Sequence, residues 1–367
     1  MRFYLLQLVL LVSLSACAHP QIQTQTRTSV YNVRLTPASV IMTDDYVLPL
    51  KAWPSIDAPT VDSSPSDSSP SDSSTIDFPS INFSPINFPG AVVLAVHGFN
   101  DYSHAFEAVA NRFAQHSITT YAIDQRGFGA TSQRGIWPGH SIMRSDLVAT
   151  VKLLCEKHAG LPLFLLGESM GGAVILSALQ PLEQTCIKGV ILSAPAVWGW
   201  QIMPWWQTMP LTLLAHTMPG YTVTGESLDI DPSDNIDMLR ALGKDPLIIK
   251  ETRIDAIYGL TDLMDAALVN STVLNMKALI LYGERDEIIP PESICAMLEN
   301  LPEQAASGWR LVLYQNGYHM LSRDLQGDVV IQDMITWIHN QNAPLLSAQE
   351  VVQGDARLSV FSECDKL

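Results

Sequence analysis

From residue 91 onward the sequence alternates short, almost unbroken apolar runs with longer segments of helical apolar spacing, and this rhythm leaves few folds open. The runs are 91–96, 119–123, 163–166, 190–193, 279–282 and 311–314, and the helical patterns are 105–115, 145–158, 171–180, 291–300 and 329–341. A strand that is apolar on both sides must be covered on both faces, and strands separated by helices pair in parallel through crossovers. The expectation is an α/β chain: a mostly parallel sheet flanked by helices. With 47% apolar residues in a chain of 367, there is ample material for its core.

Segments outside this rhythm mark the organisation. Residues 39–42 and 46–53 read as a hairpin around Thr43-Asp44-Asp45. Residues 55–90 then carry two Ser-Ser-Pro-Ser-Asp units, at 63–67 and 68–72, and three Ile-Asp/Asn-Phe repeats. Such a tract buries too little apolar surface to offset its ordering entropy, so it reads as an exposed loop insertion within one domain, 35–341. Residues 195–267 hold no clear strand but include Trp198, Trp200, Met203, Trp205, Trp206, Met209 and Met218, and are expected to form a cap. Residues 342–367 have no strong pattern and read as a tail.

At the other end, Arg2 precedes an apolar run over 3–14 that closes on Leu14-Ser15-Ala16-Cys17. This is the pattern of an export signal, and the run is short of the roughly 20 residues that span a bilayer. Leu-Ser-Ala-Cys resembles the bacterial lipobox, which implies a signal over 1–17, lipidation at Cys17 and a lipid anchor to the membrane, with Ala18 implying the outer membrane. Residues 18–34, rich in Gln, Thr and Ser, read as a tether. Apart from Cys17 there are four cysteines, Cys155, Cys186, Cys295 and Cys364, and spacing alone selects no pairing among them. No CxxC spacing points to a metal. A net charge of −16 leaves no basic surface for phosphates, which argues against nucleic acid as a partner.

The chemistry centres on Gly167-Glu168-Ser169-Met170-Gly171, which follows the run 163–166 and opens a helical pattern. That context makes Gly-x-Ser-x-Gly informative, because a sharp strand-to-helix turn lifts the serine hydroxyl from the sheet's carboxyl edge and needs small neighbours. A serine that merely caps a helix is the plainer alternative. A hydroxyl is a weak nucleophile unless a base takes its proton and a carboxylate orients the base. Asp286 follows the run 279–282, with Glu284 as the rival acid, and His319 follows 311–314. His97-Gly98-Phe99-Asn100 follows 91–96, where the Phe99 amide would pair with that of Met170 as an oxyanion hole. His97 precedes the serine and reads as structural. Asp124-Gln125-Arg126-Gly127-Phe128-Gly129 is glycine-rich but lacks the spacing of a phosphate loop.

Five segments, His97-Gly98-Phe99, Asp124-x-Arg126-Gly127-x-Gly129, Gly167-Glu168-Ser169-Met170-Gly171-Gly172, Gly283-x-x-Asp286-x-x-x-Pro290 and Gly317-Tyr318-His319-Met320-Leu321, make the chain resemble the monoglyceride lipase and lysophospholipase branch of the α/β-hydrolases. The resemblance covers about residues 36–340 and implies that family's fold, an eight-stranded, mostly parallel sheet with a helical cap. It also implies a catalytic triad of Ser169, Asp286 and His319, an acyl-enzyme on Ser169, a lipid or small-ester substrate, and neither metal nor organic cofactor. Two features depart from the pattern: the insertion at 55–90, and Phe99-Asn100 in place of the more usual Met-Gly. The lead expectation is hydrolysis of monoacylglycerols or lysophospholipid-type monoesters, with the cap's Trp and Met lining an acyl channel. Alternatives are an aminopeptidase, with Glu168 or Asp262 receiving a substrate ammonium, an acyltransferase, and a lipid-binding lipoprotein without catalysis.

Overall fold

The computed structural model describes residues 19–23, 32–56, 90–225, 230–303 and 308–351. Cys17, Cys364 and nearly all of the 55–90 insertion lie outside these residues. The strands are β1 (Arg34–Leu35), β2 (Ser39–Ile41), β3 (Val47–Trp53), β4 (Ala91–Val96), β5 (Ile118–Ile123), β6 (Leu163–Glu168), β7 (Ile187–Ser193), β8 (Thr222–Val223), β9 (Thr252–Arg253), β10 (Ala278–Gly283), β11 (Arg310–Tyr314) and β12 (Glu350–Val351). Ten of them form one sheet in the order β1-β2-β3-β5-β4-β6-β7-β10-β11-β12. The run from β5 to β11 is parallel, with antiparallel additions at both edges.

Every residue of β4, β6 and β10 is buried, as apolar strands covered on two faces require. One face packs against α1 (Glu107–Ala114) and a late helix, Gly327–His339, through Val109, Phe113, Val330, Met334 and Trp337. The other packs against α2 (His140–Lys157), α3 (Met170–Ser177) and the helices Ile254–Asn270 and Pro291–Asn300. Cys155, near the end of α2, is joined by a disulfide to Cys186, just before β7.

Four expectations need correction. Among the described residues the sheet has ten strands rather than eight, because β1 and β12 each add two residues at an edge, too few for a periodic signal. The last strand comes from the region expected to be a tail: Glu350–Val351 pair antiparallel with β11. Residues 19–23 do not hang free as a tether: Gln23 is buried, and its amide donates to the Trp137 carbonyl at 3.0 Å. Within 195–267, the helix Ile254–Asn270 buries Leu263, Ala267 and Leu268 in the core beside α3, so only the residues before it stand over the sheet edge.

Topology sets the position of the site. Val96 of β4 pairs with Gly167 of β6, and Gly283 of β10 pairs with Tyr314 of β11. The segments leaving the carboxyl ends of these strands therefore start side by side in two pairs, at the edge where an open parallel sheet puts ligands. The closest backbone approach lies there too. A Cβ on Gly171 would stand 1.9 Å from the Val96 carbonyl oxygen, and one on Gly167 2.6 Å from the Gly172 nitrogen. Gly171→Ala is expected to cost roughly 3 kcal/mol or more, read as a fall in Tm, because only backbone could give way.

Candidate active site

Ser169 sits in the turn between β6 and α3 with φ 54° and ψ −117°, a left-handed conformation that a non-glycine residue holds only at a cost. The backbone around it supplies the hold. Its N–H donates to the Ser193 carbonyl at 2.9 Å, and its carbonyl accepts from the amides of Ala173 and Ala196. The side chain is nearly buried.

Asp286 and His319 meet at the same edge. Asp286 Oδ2 lies 2.9 Å from His319 Nδ1, while Oδ1 accepts the amides of Ile288 and Ile289, each at 2.9 Å. A carboxylate only accepts, so Nδ1 carries the proton and Nε2 is left with its lone pair. Tyr282 braces this loop by donating its hydroxyl proton to the Ile289 carbonyl. Glu284, the rival acid, is half-buried and makes no contact with His319 among the described residues. Burial works to lower the His319 pKa, but the charge and hydrogen bond of Asp286 outweigh it; with Glu168 adding and Arg323 opposing, the net direction is upward.

Ser169 Oγ makes no hydrogen bond to His319 among the described residues. The structure thus joins the acid to the base and brings the serine's turn to the same edge without closing the third link, a link that is commonly long outside a Michaelis complex. The loop after β4 borders the serine closely: a Cβ on Gly98 would lie 3.4 Å from Ser169 Cβ. The amides of Phe99 and Met170 have no acceptor among the described residues, as an oxyanion site requires. His97 is spent on structure. Its Nε2 accepts the Gln125 amide at 2.9 Å, so Nδ1 carries the proton and donates to the Gly98 carbonyl, and burial lowers its pKa. Asp124 and Arg126 are structural as well: Asp124 accepts the amides of Ser103 and Ala130, and Arg126 pairs with Asp44 and Asp146.

A group that sequence reasoning missed is Arg323. Its side chain is buried, and it donates to Asp101 Oδ2 at 2.7 Å and to Glu168 Oε1. It thereby ties together the loops that carry Phe99, Ser169 and His319. An arginine four residues past a histidine gives no hint of this in the sequence. Glu168 Oε1 is therefore engaged by a guanidinium, and Asp262 accepts the Trp200 indole N–H at 2.7 Å. Much of the apolar stretch expected to line a channel is open to solvent. Trp205, Trp206, Met209 and Met218 are exposed, and in the helix Trp205–Thr217 only Ala215 is buried. A helix whose apolar residues are spread around its axis does not announce which face is covered.

Residues 88–326 match the model of the family described as serine aminopeptidase, S33, also called Hydrolase_4. The chain belongs to this family. Among relatives of this hydrolase is a monoacylglycerol lipase of Mycolicibacterium smegmatis, 26% identical over 258 residues, covering 68% of this chain and 88% of that protein. A monoglyceride lipase of Rattus norvegicus is 24% identical over 265 residues, covering 70% of this chain and 84% of its own. A solved structure, a soluble variant of monoglyceride lipase from Saccharomyces cerevisiae in complex with a substrate analog, superposes with a TM-score of 0.62 at 21% identity, covering 85% of this chain and 98% of that one. The expected α/β-hydrolase fold is borne out.

A catalytic base must be neutral, and the His319 pKa is raised from 6.5, so with His319 in that role kcat/KM of this hydrolase is expected to fall as pH drops through a midpoint above 6.5. Asp286→Asn should move that midpoint down and lower kcat by about 10⁴, as seen when a triad carboxylate becomes an amide. A pH–rate profile of both proteins checks this.

Proposed function

We propose that this family member hydrolyses carboxylic esters of the monoacylglycerol type through an acyl-enzyme on Ser169. The observation that carries the reading is the Asp286–His319 hydrogen bond, which leaves an unprotonated imidazole nitrogen at the edge that also bears the strained Ser169 turn. In this reading Ser169 Oγ attacks the ester carbonyl carbon as His319 Nε2 takes its proton. The amides of Phe99 and Met170 hold the oxyanion, with one such donor worth about 3 kcal/mol. The imidazolium, steadied by Asp286, returns the proton to the departing alkoxide, and water repeats the sequence to free the acid. The relatives named as monoacylglycerol lipases support the substrate class. An amine-binding role for Glu168 finds no support, since Arg323 occupies that carboxylate.

The test is a series of p-nitrophenyl esters of increasing chain length together with a fluorophosphonate probe. Wild-type protein should turn over the esters and label once; Ser169→Ala should lose at least about 10⁴ of kcat and all labelling. No turnover at any length by intact protein would overturn the reading. Location belongs to the same proposal: acyl chains on Cys17, each buried CH₂ contributing about 0.8 kcal/mol, would hold the enzyme at a bacterial outer membrane. Cys17→Ser should move it from the membrane fraction to the soluble fraction after cell lysis, and unchanged partition would count against the anchor.

A further inference from the structure

Residues 19–23 lie outside the stretch matched by the family model, yet they are fastened to the body of the enzyme at two places. Gln23 is buried. Its side-chain Nε2 donates to the carbonyls of Ile136 at 2.7 Å and Gln133 at 3.3 Å, and its amide donates to the Trp137 carbonyl. Two residues earlier, the Gln21 amide donates to Asp255 Oδ2 at 3.0 Å, and Gln21 Oε1 accepts from Arg253 Nη2 at 3.1 Å. Asp255 is itself buried and paired with Arg253. A segment of this composition would stay solvated unless its polar groups were given partners, and here the partners are carbonyls and a buried ion pair.

Both attachments lead to the loop that carries the Phe99 amide. Through the first, the strap fixes the turn before Trp137, whose indole is wedged between Gly259, where a Cβ would stand 2.3 Å from the ring, and the Phe99 ring, 6.3 Å away edge to face. Through the second it braces Arg253, the neighbour of Thr252. Thr252 Oγ1 accepts the Asn100 side-chain amide at 2.7 Å, and the Ile249 amide donates to the Asn100 carbonyl at 3.0 Å. Asn100 has φ 64°, a conformation held by bonds from outside its own turn, and it directly follows Phe99. Only about 10 Å³ of cavity remains among Phe99, Asn100, Gly127, Trp137, Ile249 and Arg253, so displacement at one side is passed to the other.

We infer that residues 19–23 are a positioning strap for the oxyanion loop: by holding the Trp137 turn and the 252–255 segment, they aim the Phe99 amide at the reacting carbonyl. This rests on the ester-hydrolase reading above. Gln21 and Gln23 touch no reacting atom; they set where a donor stands, and small misplacements of such donors are costly in the transition state.

The test uses the full chain with p-nitrophenyl butyrate. Gln23→Ala removes the side-chain bonds, and Gln21→Pro removes the amide donor to Asp255. Each should lower kcat roughly ten-fold with KM changed less than about two-fold, while Leu161→Ala, which removes an exposed side chain outside the strap, leaves kcat as in wild type. Should Gln21→Pro fail to fold, Gln23→Ala decides. Wild-type kcat in folded Gln23→Ala, even with a lower Tm, overturns the strap, and so does a loss carried by KM alone. Absence of turnover in the wild-type protein would instead overturn the hydrolase reading.

Discussion

The site depends on one backbone held out of its comfortable range. Ser169 at φ 54° costs on the order of 1–3 kcal/mol, and the turn persists only because β6 delivers it against a helix that cannot retreat. The absent side chains of Gly167 and Gly171 make the approach feasible, and the carbonyl of Ser193 and the amides of Ala173 and Ala196 complete it. Strain of this kind is kept where surrounding structure over-determines it. Burial of β4, β6 and β7 on both faces provides that surplus here.

Arg323 performs a second kind of work at the same edge. Burying three ionised groups is expensive, and the attraction between them repays the expense only with close geometry. Asp101, Glu168 and Arg323 meet that condition, and each comes from the carboxyl end of a different strand or the segment after it. The arrangement makes the relative placement of the three loops a shared property rather than three separate ones. It also places opposite charges near His319, so the imidazole's basicity reflects Glu168 and Arg323 as well as Asp286.

Much of this was legible in the sequence. The central strands, the serine turn, Asp286 and His319 could be read because apolar runs mark the strand ends, and chemistry in a parallel sheet is confined to the loops leaving those ends. The features that escaped reading did so for physical causes. The strands at 34–35 and 350–351 are shorter than any period. The apolar residues of the helix Trp205–Thr217 are spread around its axis, so composition could not tell lining from exposure. Gln21 and Gln23 look like linker residues because their role rests on a backbone amide and a carboxamide, which leave no hydrophobic signature. Arg323 reads as an ordinary charge until its partners, distant in sequence, are brought beside it.

The Cys155–Cys186 bridge closes a loop of 31 residues that contains β6, Ser169 and the whole of α3. In the unfolded chain this crosslink keeps β6, the Ser169 turn and α3 within one short ring, so the search for the strained turn begins from fewer conformations. The crosslink forms only where thiols are oxidised. A copy of the protein folding under reducing conditions would meet the same energy landscape with a longer search for its serine turn.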